Sequence, residues 1–214
     1  MGLQTRLDTL KQEFTANVPS DALAVMNQET EKLMASDIVA KAIKVGEKLP
    51  NGELTAVNGE QVNIDQLLDG KPLVISFYRG GWCPYCNLEL KELQATAADI
   101  KALGANIIAM TPESISHVKQ TKQNNGVTFD VFSDEGSAFA KELGLVFTLP
   151  KSLQEIYLKF DIDVEKHNGE SKFELPIPTT LIVKPNREVV YMFADGDYTK
   201  RSEPAAILNV LKNL

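Results

Sequence analysis

The sequence predicts an α/β fold, a central mixed sheet with helices on both faces, preceded by an N-terminal helical arm. Two observations carry that expectation. From Gly46 onward, short apolar runs alternate with helix-length amphipathic stretches, the pattern of strands joined by crossover helices. Before Gly46 the apolar residues recur at helical spacing instead. The expected division is an arm over residues 1–45 and one domain over 46–214.

The elements follow in order. Leu3, Leu7, Leu10 and Phe14 fall at i, i+4, i+7 and i+11, one stripe of a first helix. Pro19 interrupts it, and Ser20 with Asp21 is expected to cap a second helix running to about Met34. A third short helix, SDIVAKAI, leads to Gly46. The arm carries no catalytic pattern and reads as a packing or oligomerisation extension, which would suit a homodimer. Beyond it, ELTAV and EQVNI flank Asn58-Gly59, a two-residue hairpin signal. LVISFY, Leu73 to Tyr78, reads as a strand buried on both faces. Leu93, Ala97 and Ile100 mark the buried face of a helix ending near Gly104. NIIAM is a second buried strand, ESISHVKQTKQNN a helix closing at Gly126, VTFDVF a third strand and EGSAFAKELG a further helix. Residues 145–175 read as less regular. TTLIVK and EVVYMFA form a hairpin through Pro185-Asn186. Ser202 is expected to cap a last helix that has Pro204 in its first turn.

Composition narrows the function. A net charge of -7 argues against nucleic-acid or anionic-membrane partners, which select concentrated positive charge. No apolar run approaches the roughly 20 residues of a membrane helix, and the charged start MGLQTRLDTLKQEF lacks the apolar core of a signal peptide. The expected location is the cytoplasm, where a structural disulfide is uncommon. Asp161, Asp163, Asp195 and Asp197 read as solvated turns, and His117 as a surface residue on a polar helix.

Chemistry concentrates in RGGWCPYC, Arg79 to Cys86, which holds both cysteines of the chain. The pair follows a buried strand and opens a helix. A helix N-terminus offers unpaired N–H groups and partial positive charge, which favour thiolate over thiol. Positions i and i+3 share one face of the first turn, close enough for a disulfide. Pro84 suits the first helical position, where its missing N–H costs nothing. Arg79 could add positive charge, and Gly80-Gly81 lets the chain turn sharply. Inert buried thiols would not call for such a turn. A zinc site needs about four ligands, and His117 and His167 are not spaced as a ligand set. A reversible disulfide is the remaining reading, with no metal and no cofactor. Pro178, in LPIPTTLIV, marks a strand entry or a cis bond that would present backbone groups beside the pair.

With those residues placed, the chain resembles the peroxiredoxin-like branch of the thioredoxin superfamily, the alkyl hydroperoxide reductase and thiol-specific antioxidant proteins. The resemblance runs over residues 44–214, through KVGEKLPNGELTAVNGEQVNIDQLLDGKPLVISFYRGGWCPYC, TPES, FSDEGSAFAKELGL, IPTTLIVKPNREVVY and DYTKRSEPAAIL. It implies a thioredoxin-like fold and a thiol-dependent hydroperoxide reductase, served by a thioredoxin- or glutaredoxin-type dithiol. The family usually shows Pro-x-x-x-Thr-x-x-Cys after the strand. In that register Cys86 takes the peroxide-reacting place, while Arg79 stands for the proline and Cys83 for the threonine. Pro178 occupies the place of the family's strand-entry arginine.

Helix position favours Cys83 as the readier thiolate, whereas the family register puts Cys86 where peroxide is received. The expected assignment is attack by Cys86 and resolution by Cys83, with Arg79, Trp82, Pro84, Tyr85 and Pro178 as supporting residues. Two other readings stand beside it. One is a protein thiol–disulfide oxidoreductase with Cys83 attacking, the other a redox sensor without catalytic activity.

Overall fold

The computed structural model describes residues 2–170 and 172–214. Three helices form the arm: α1 (Leu3–Asn17), α2 (Ser20–Met34) and α3 (Ile38–Lys41). Pro19 holds the capping position of α2 and Ser20 is already helical, so the expected Ser20 cap gives way to proline's preset φ. The hairpin of β1 (Glu53–Ala56) and β2 (Gln61–Asn63) runs into α4 (Ile64–Leu68). Next come β3 (Leu73–Phe77), α5 (Pro84–Ala102), β4 (Asn106–Thr111), α6 (Ile115–Asn124), β5 (Asp130–Ser133) and α7 (Ala138–Glu142).

The region 145–175, expected to be less regular, holds regular elements over its described residues, 145–170 and 172–175. In it, β6 (Val146–Thr148) pairs antiparallel with β7 (Glu174–Pro176), enclosing α8 (Lys151–Lys159) and α9 (Val164–Asn168). Pro150 starts α8, and Leu153, Ile156 and Tyr157 supply its buried face at i, i+3 and i+4. The chain closes with β8 (Thr179–Val183), β9 (Val189–Ala194) and α10 (Pro204–Lys212). Glu203, not Ser202, sits at the cap of α10. Pro204 takes the first helical position, and the Ser202 hydroxyl bonds the Tyr191 hydroxyl at 2.8 Å.

The seven-stranded sheet has the order β2-β1-β5-β4-β3-β8-β9, with β3, β4 and β5 parallel and the remaining neighbours antiparallel. Strand β3 lies inside it, between β4 and β8, and is buried along its whole length. Leu73, Ile75 and Phe77 face a core that also holds Ile64 of α4 and Phe139 of α7. Val74 faces the other way, with Leu93 of α5 and Ile207 of α10. This two-faced burial explains why LVISFY is continuously apolar rather than alternating.

The arm is part of the core. Leu3 and Leu7 are buried among Tyr78, Cys83, Tyr85 and Cys86, each such burial stabilising by about 1.5–3 kcal/mol. Glu203 caps α1 from across the chain, accepting from Leu3 N at 3.0 Å and Gln4 N at 2.8 Å. Helix α2 packs on α8 through Met26, Leu153 and Ile156. Its end lies flat on Gly196, where a Cβ would come within 2.8 Å of Met34 Cα. No helix among the described residues is long and apolar enough to cross a membrane.

Candidate active site

The site forms where β3 hands over to α5. Cys83 is the capping residue of α5, in extended backbone (φ -92°, ψ 114°), and Pro84 is its first helical residue. Cys83 N–H closes the turn onto Gly80 O at 3.1 Å. Both sulfurs are free thiols, 2% and 0% exposed for Cys83 and Cys86. The helix start is therefore a dry one, where partial charges and hydrogen bonds act at low dielectric.

Two buried guanidinium groups flank the pair. Arg79 sits in an aromatic cage, its Cζ 4.9 Å from the Trp82 ring centre, 4.7 Å from Tyr198 and 5.6 Å from Tyr157. Its Nη2 donates to the Tyr157 hydroxyl. Among the described residues no carboxylate pairs with it, and its Nε has no hydrogen-bond partner. Arg201 comes from the loop before α10. It donates from Nη2 to Cys86 Sγ at 3.4 Å and from Nε to Glu89 Oε2 at 2.5 Å. Its Nη1 donates to the carbonyls of Tyr198 and Lys200. Glu89 lies one turn after Cys86 on α5, so the helix sets sulfur and carboxylate on one face.

Both guanidiniums favour thiolate, and the hydrogen bond between the sulfurs splits the pair. Burial opposes ionisation of Cys83, but a hydrogen bond from Cys86 and the charges of Arg79 and Arg201 outweigh it, lowering Cys83 to about 6. Cys86 moves up, because burial, its role as donor to Cys83 and the charge on that sulfur outweigh Arg201 and Arg79. Burial lifts Glu89 to about 7 against the pull of Arg201. The resting charge of the pair therefore lies on Cys83, toward Arg79.

An apolar cavity of about 260 Å³ opens between α2 and α8 and ends on Arg79. Leu33, Phe147, Leu153, Tyr157, Pro178 and Tyr198 line it. Pro178 enters β8 through a trans bond, so of the two expectations strand entry holds and the cis bond does not. Tyr85 meets the Tyr198 ring edge-on at 5.5 Å, and Trp82 packs on Tyr157 at 5.5 Å. Arg79, Trp82, Cys83, Pro84, Tyr85 and Cys86 thus share the turn and first residues of α5, and Pro178 meets Arg79 in the cavity lining.

Sequence reasoning missed Arg201, Glu89, Tyr157 and Tyr198. For Glu89 a signal existed, since a carboxylate at i+3 from Cys86 on the same helix shares its face. Arg201 lies within DYTKRSEP, far from the pair in sequence. Asp197, expected on a solvated turn, is buried and accepts from Thr199 N at 2.9 Å and Thr199 Oγ1 at 2.7 Å. His117, expected on the surface, is half-buried against His167, their ring centres 4.3 Å apart. Among the described residues no group of three His, Cys, Asp or Glu side chains is arranged to hold a metal ion.

Comparison with known proteins agrees with this frame. The chain is 25% identical over 166 residues to a chloroplastic peroxiredoxin Q of Triticum aestivum, covering 72% of this chain and 76% of that protein. It is 27% identical over 158 residues to the thiol-disulfide oxidoreductase ResA of Oceanobacillus iheyensis, covering 70% and 64%. The fold superposes on the crystal structure of peroxidoxin BcpB from Mycobacterium tuberculosis with a TM-score of 0.63 at 16% identity, covering 80% of this chain and 98% of that one. The AhpC/TSA family model matches residues 45–192, more than half of the sequence. The chain belongs to the AhpC/TSA family.

Proposed function

We propose that this protein is a thiol peroxidase that reduces hydroperoxides at the Cys83–Cys86 pair and is returned to the dithiol by a thioredoxin- or glutaredoxin-type reductant in a reducing compartment such as the cytoplasm. The observation that carries the reading is the buried pair itself, with Cys83 lowered to about 6 and Arg79 set between the pair and an apolar cavity that it lines. The family register favours Cys86 for attack, whereas the charge balance favours Cys83, and we take Cys83 as the attacking sulfur. Its thiolate attacks the outer peroxide oxygen, the O–O bond breaks, and the alkoxide leaves as alcohol after taking a proton from solvent. Cys83 becomes a sulfenic acid. Cys86 then condenses with it, forming the S–S bond and releasing water. An external dithiol reduces the disulfide by exchange and is itself oxidised.

Arg79 suits the first step. A guanidinium without a carboxylate partner can stabilise both the thiolate and the oxygen that gains charge as the O–O bond breaks. The cavity would seat the organic part of the hydroperoxide.

The ResA similarity supports the second reading, exchange with protein disulfides. Burial weighs against it, because a protein disulfide cannot reach a sulfur 2% exposed beneath Leu3 and Leu7 unless α1 lifts. A protein reductant faces the same requirement, whereas a hydroperoxide, being small, needs only a local opening past Arg79 from the cavity. Stopped-flow oxidation of the reduced protein by hydrogen peroxide and by cumene hydroperoxide, set against reduction of insulin disulfides, tests the choice. The peroxidase reading expects thiol oxidation far faster than that of a free thiol and slow insulin reduction. Peroxide reaction at the free-thiol rate with fast insulin reduction would replace it by the oxidoreductase.

A further inference from the structure

Away from the cysteine pocket lies a cluster of titratable side chains that has no part in the chemistry above. Glu113, in the TPES turn after β4, is 0% exposed. A buried carboxylate is costly unless its oxygens are matched. Here both are. Oε1 lies 2.9 Å from His167 Nδ1, and Oε2 accepts from Gly81 N at 2.9 Å and Thr121 Oγ1 at 3.3 Å.

Gly81 precedes Cys83 by two residues, in the turn that delivers the sulfur to the start of α5. Its carbonyl is held as well, accepting from Asn87 Nδ2 at 2.8 Å, while Asn125 Nδ2 donates to Asn87 Oδ1 at 2.9 Å. Only glycine fits there, since a Cβ would lie 1.9 Å from Thr121 Oγ1. On the outer side, His167 O accepts from Ser114 N at 2.9 Å, and His117 Nδ1 lies 2.8 Å from Ser114 Oγ. A continuous polar clamp thus runs from α9 through Glu113 to the redox loop.

We propose that Glu113 is a positioning residue of the cysteine pair, its carboxylate braced by His167 and fixing the Gly81 peptide, and with it the turn from Arg79 to Cys83. The proposal rests on Cys83 and Cys86 being the redox pair, and Glu113 touches neither sulfur. Positioning and bare charge predict opposite signs. A carboxylate acting only through its charge repels a thiolate, so its removal would lower the pH at which Cys83 ionises. A carboxylate that holds the turn keeps Cys83 at the helix start and beside Arg79, so its removal raises that pH.

The test is the pH dependence of iodoacetamide alkylation at Cys83, located by peptide mass, in the reduced full-length protein without peroxide. Glu113→Ala is expected to raise the midpoint by about one pH unit, about tenfold less thiolate at pH 5. Glu113→Gln, whose amide oxygen still accepts from Gly81, is expected to return it to within about 0.3 of the parent. His167→Ala, a change at a half-buried position, is expected to reduce the thiolate about threefold and gives a reading even where Glu113→Ala does not fold. A midpoint at or below the parent's in Glu113→Ala or His167→Ala would overturn the proposal, as would Glu113→Gln behaving like a folded Glu113→Ala. Because no peroxide is used, these outcomes are independent of whether the parent proves to be a peroxidase.

Discussion

The two sides of the cysteine pair carry the same kind of group in opposite circumstances. On one side Arg201 has every nitrogen partnered, its Nε on Glu89 and its remaining donors on Cys86 Sγ and two carbonyls. On the other side Arg79 lies among three aromatic rings with a tyrosine hydroxyl for company. Both favour thiolate, but Arg79 acts more strongly on Cys83, while Arg201, which donates to Cys86 Sγ and to Glu89, acts more strongly on Cys86. The difference teaches that Arg201 chiefly holds the architecture and Arg79 chiefly sets the chemistry.

The largest effect that separates them is on stability. At pH 8, above the Glu89 midpoint of about 7, Arg201→Met strands Glu89 buried and unpaired, and is expected to cost about 3–5 kcal/mol in a denaturant titration. The double variant Glu89→Leu/Arg201→Met should regain most of that loss. Arg79→Met removes a charge that no carboxylate balances and should cost less, about 1–2 kcal/mol at that pH, through the raised ionisation midpoint of Cys83. Equal losses for the two single variants would break the comparison.

Reactivity should show the reverse order. Arg79→Met is expected to raise the ionisation midpoint of Cys83 from about 6 by about one to two pH units, slowing peroxide reduction at pH 5 about 10- to 100-fold. Stopped-flow pH profiles check this. A larger shift in Arg201→Met than in Arg79→Met would contradict it.

The pH dependence of stability sharpens the contrast further. Cys83 is lowered from 9.0 to about 6 on folding. Between those values the unfolded thiol holds a proton that the folded one has released, so stability rises with pH from about 6 to 9. Glu89 is raised from 4.5 to about 7, so the folded carboxyl keeps a proton the unfolded one has lost, and stability falls over that span. The reduced protein should therefore show a shallow minimum near neutrality, read from denaturant titrations at successive pH. Its alkaline limb should vanish in Cys83→Ser and its acid limb in Glu89→Gln. The smallest expected effect concerns the cavity. Leu153→Phe should raise KM for cumene hydroperoxide several-fold in steady-state assays and leave that for hydrogen peroxide unchanged.

Much of this frame was legible in the sequence, and the reasons are local. The strand-to-helix handover at Cys83 rests on a buried five-residue strand, a glycine pair and a proline at the first helical position, all adjacent in the chain. The region 145–175 was misread because β6 and β7 have three residues each, too short for alternation to show, although Leu153, Ile156 and Tyr157 already marked α8. Ser202 was expected as a cap because serine is the commoner choice, yet a tyrosine hydroxyl from β9 claims it. Arg201 and His167 had no local signature at all. Their partners, Cys86 and Glu113, lie in other elements, and only the folded sheet brings them together.

The central claim is that peroxide is reduced at the Cys83 thiolate, and it is tested most directly by trapping the sulfenic acid in each single-cysteine variant. Reduced Cys86→Ser and Cys83→Ser are mixed with one equivalent of peroxide in the presence of dimedone, with stopped-flow rates and peptide mass read together. The account predicts a fast reaction in Cys86→Ser with the adduct on Cys83, and a reaction near the free-thiol rate in Cys83→Ser. A Cys83→Ser variant that reacts as fast as the parent and carries the adduct on Cys86 would contradict it.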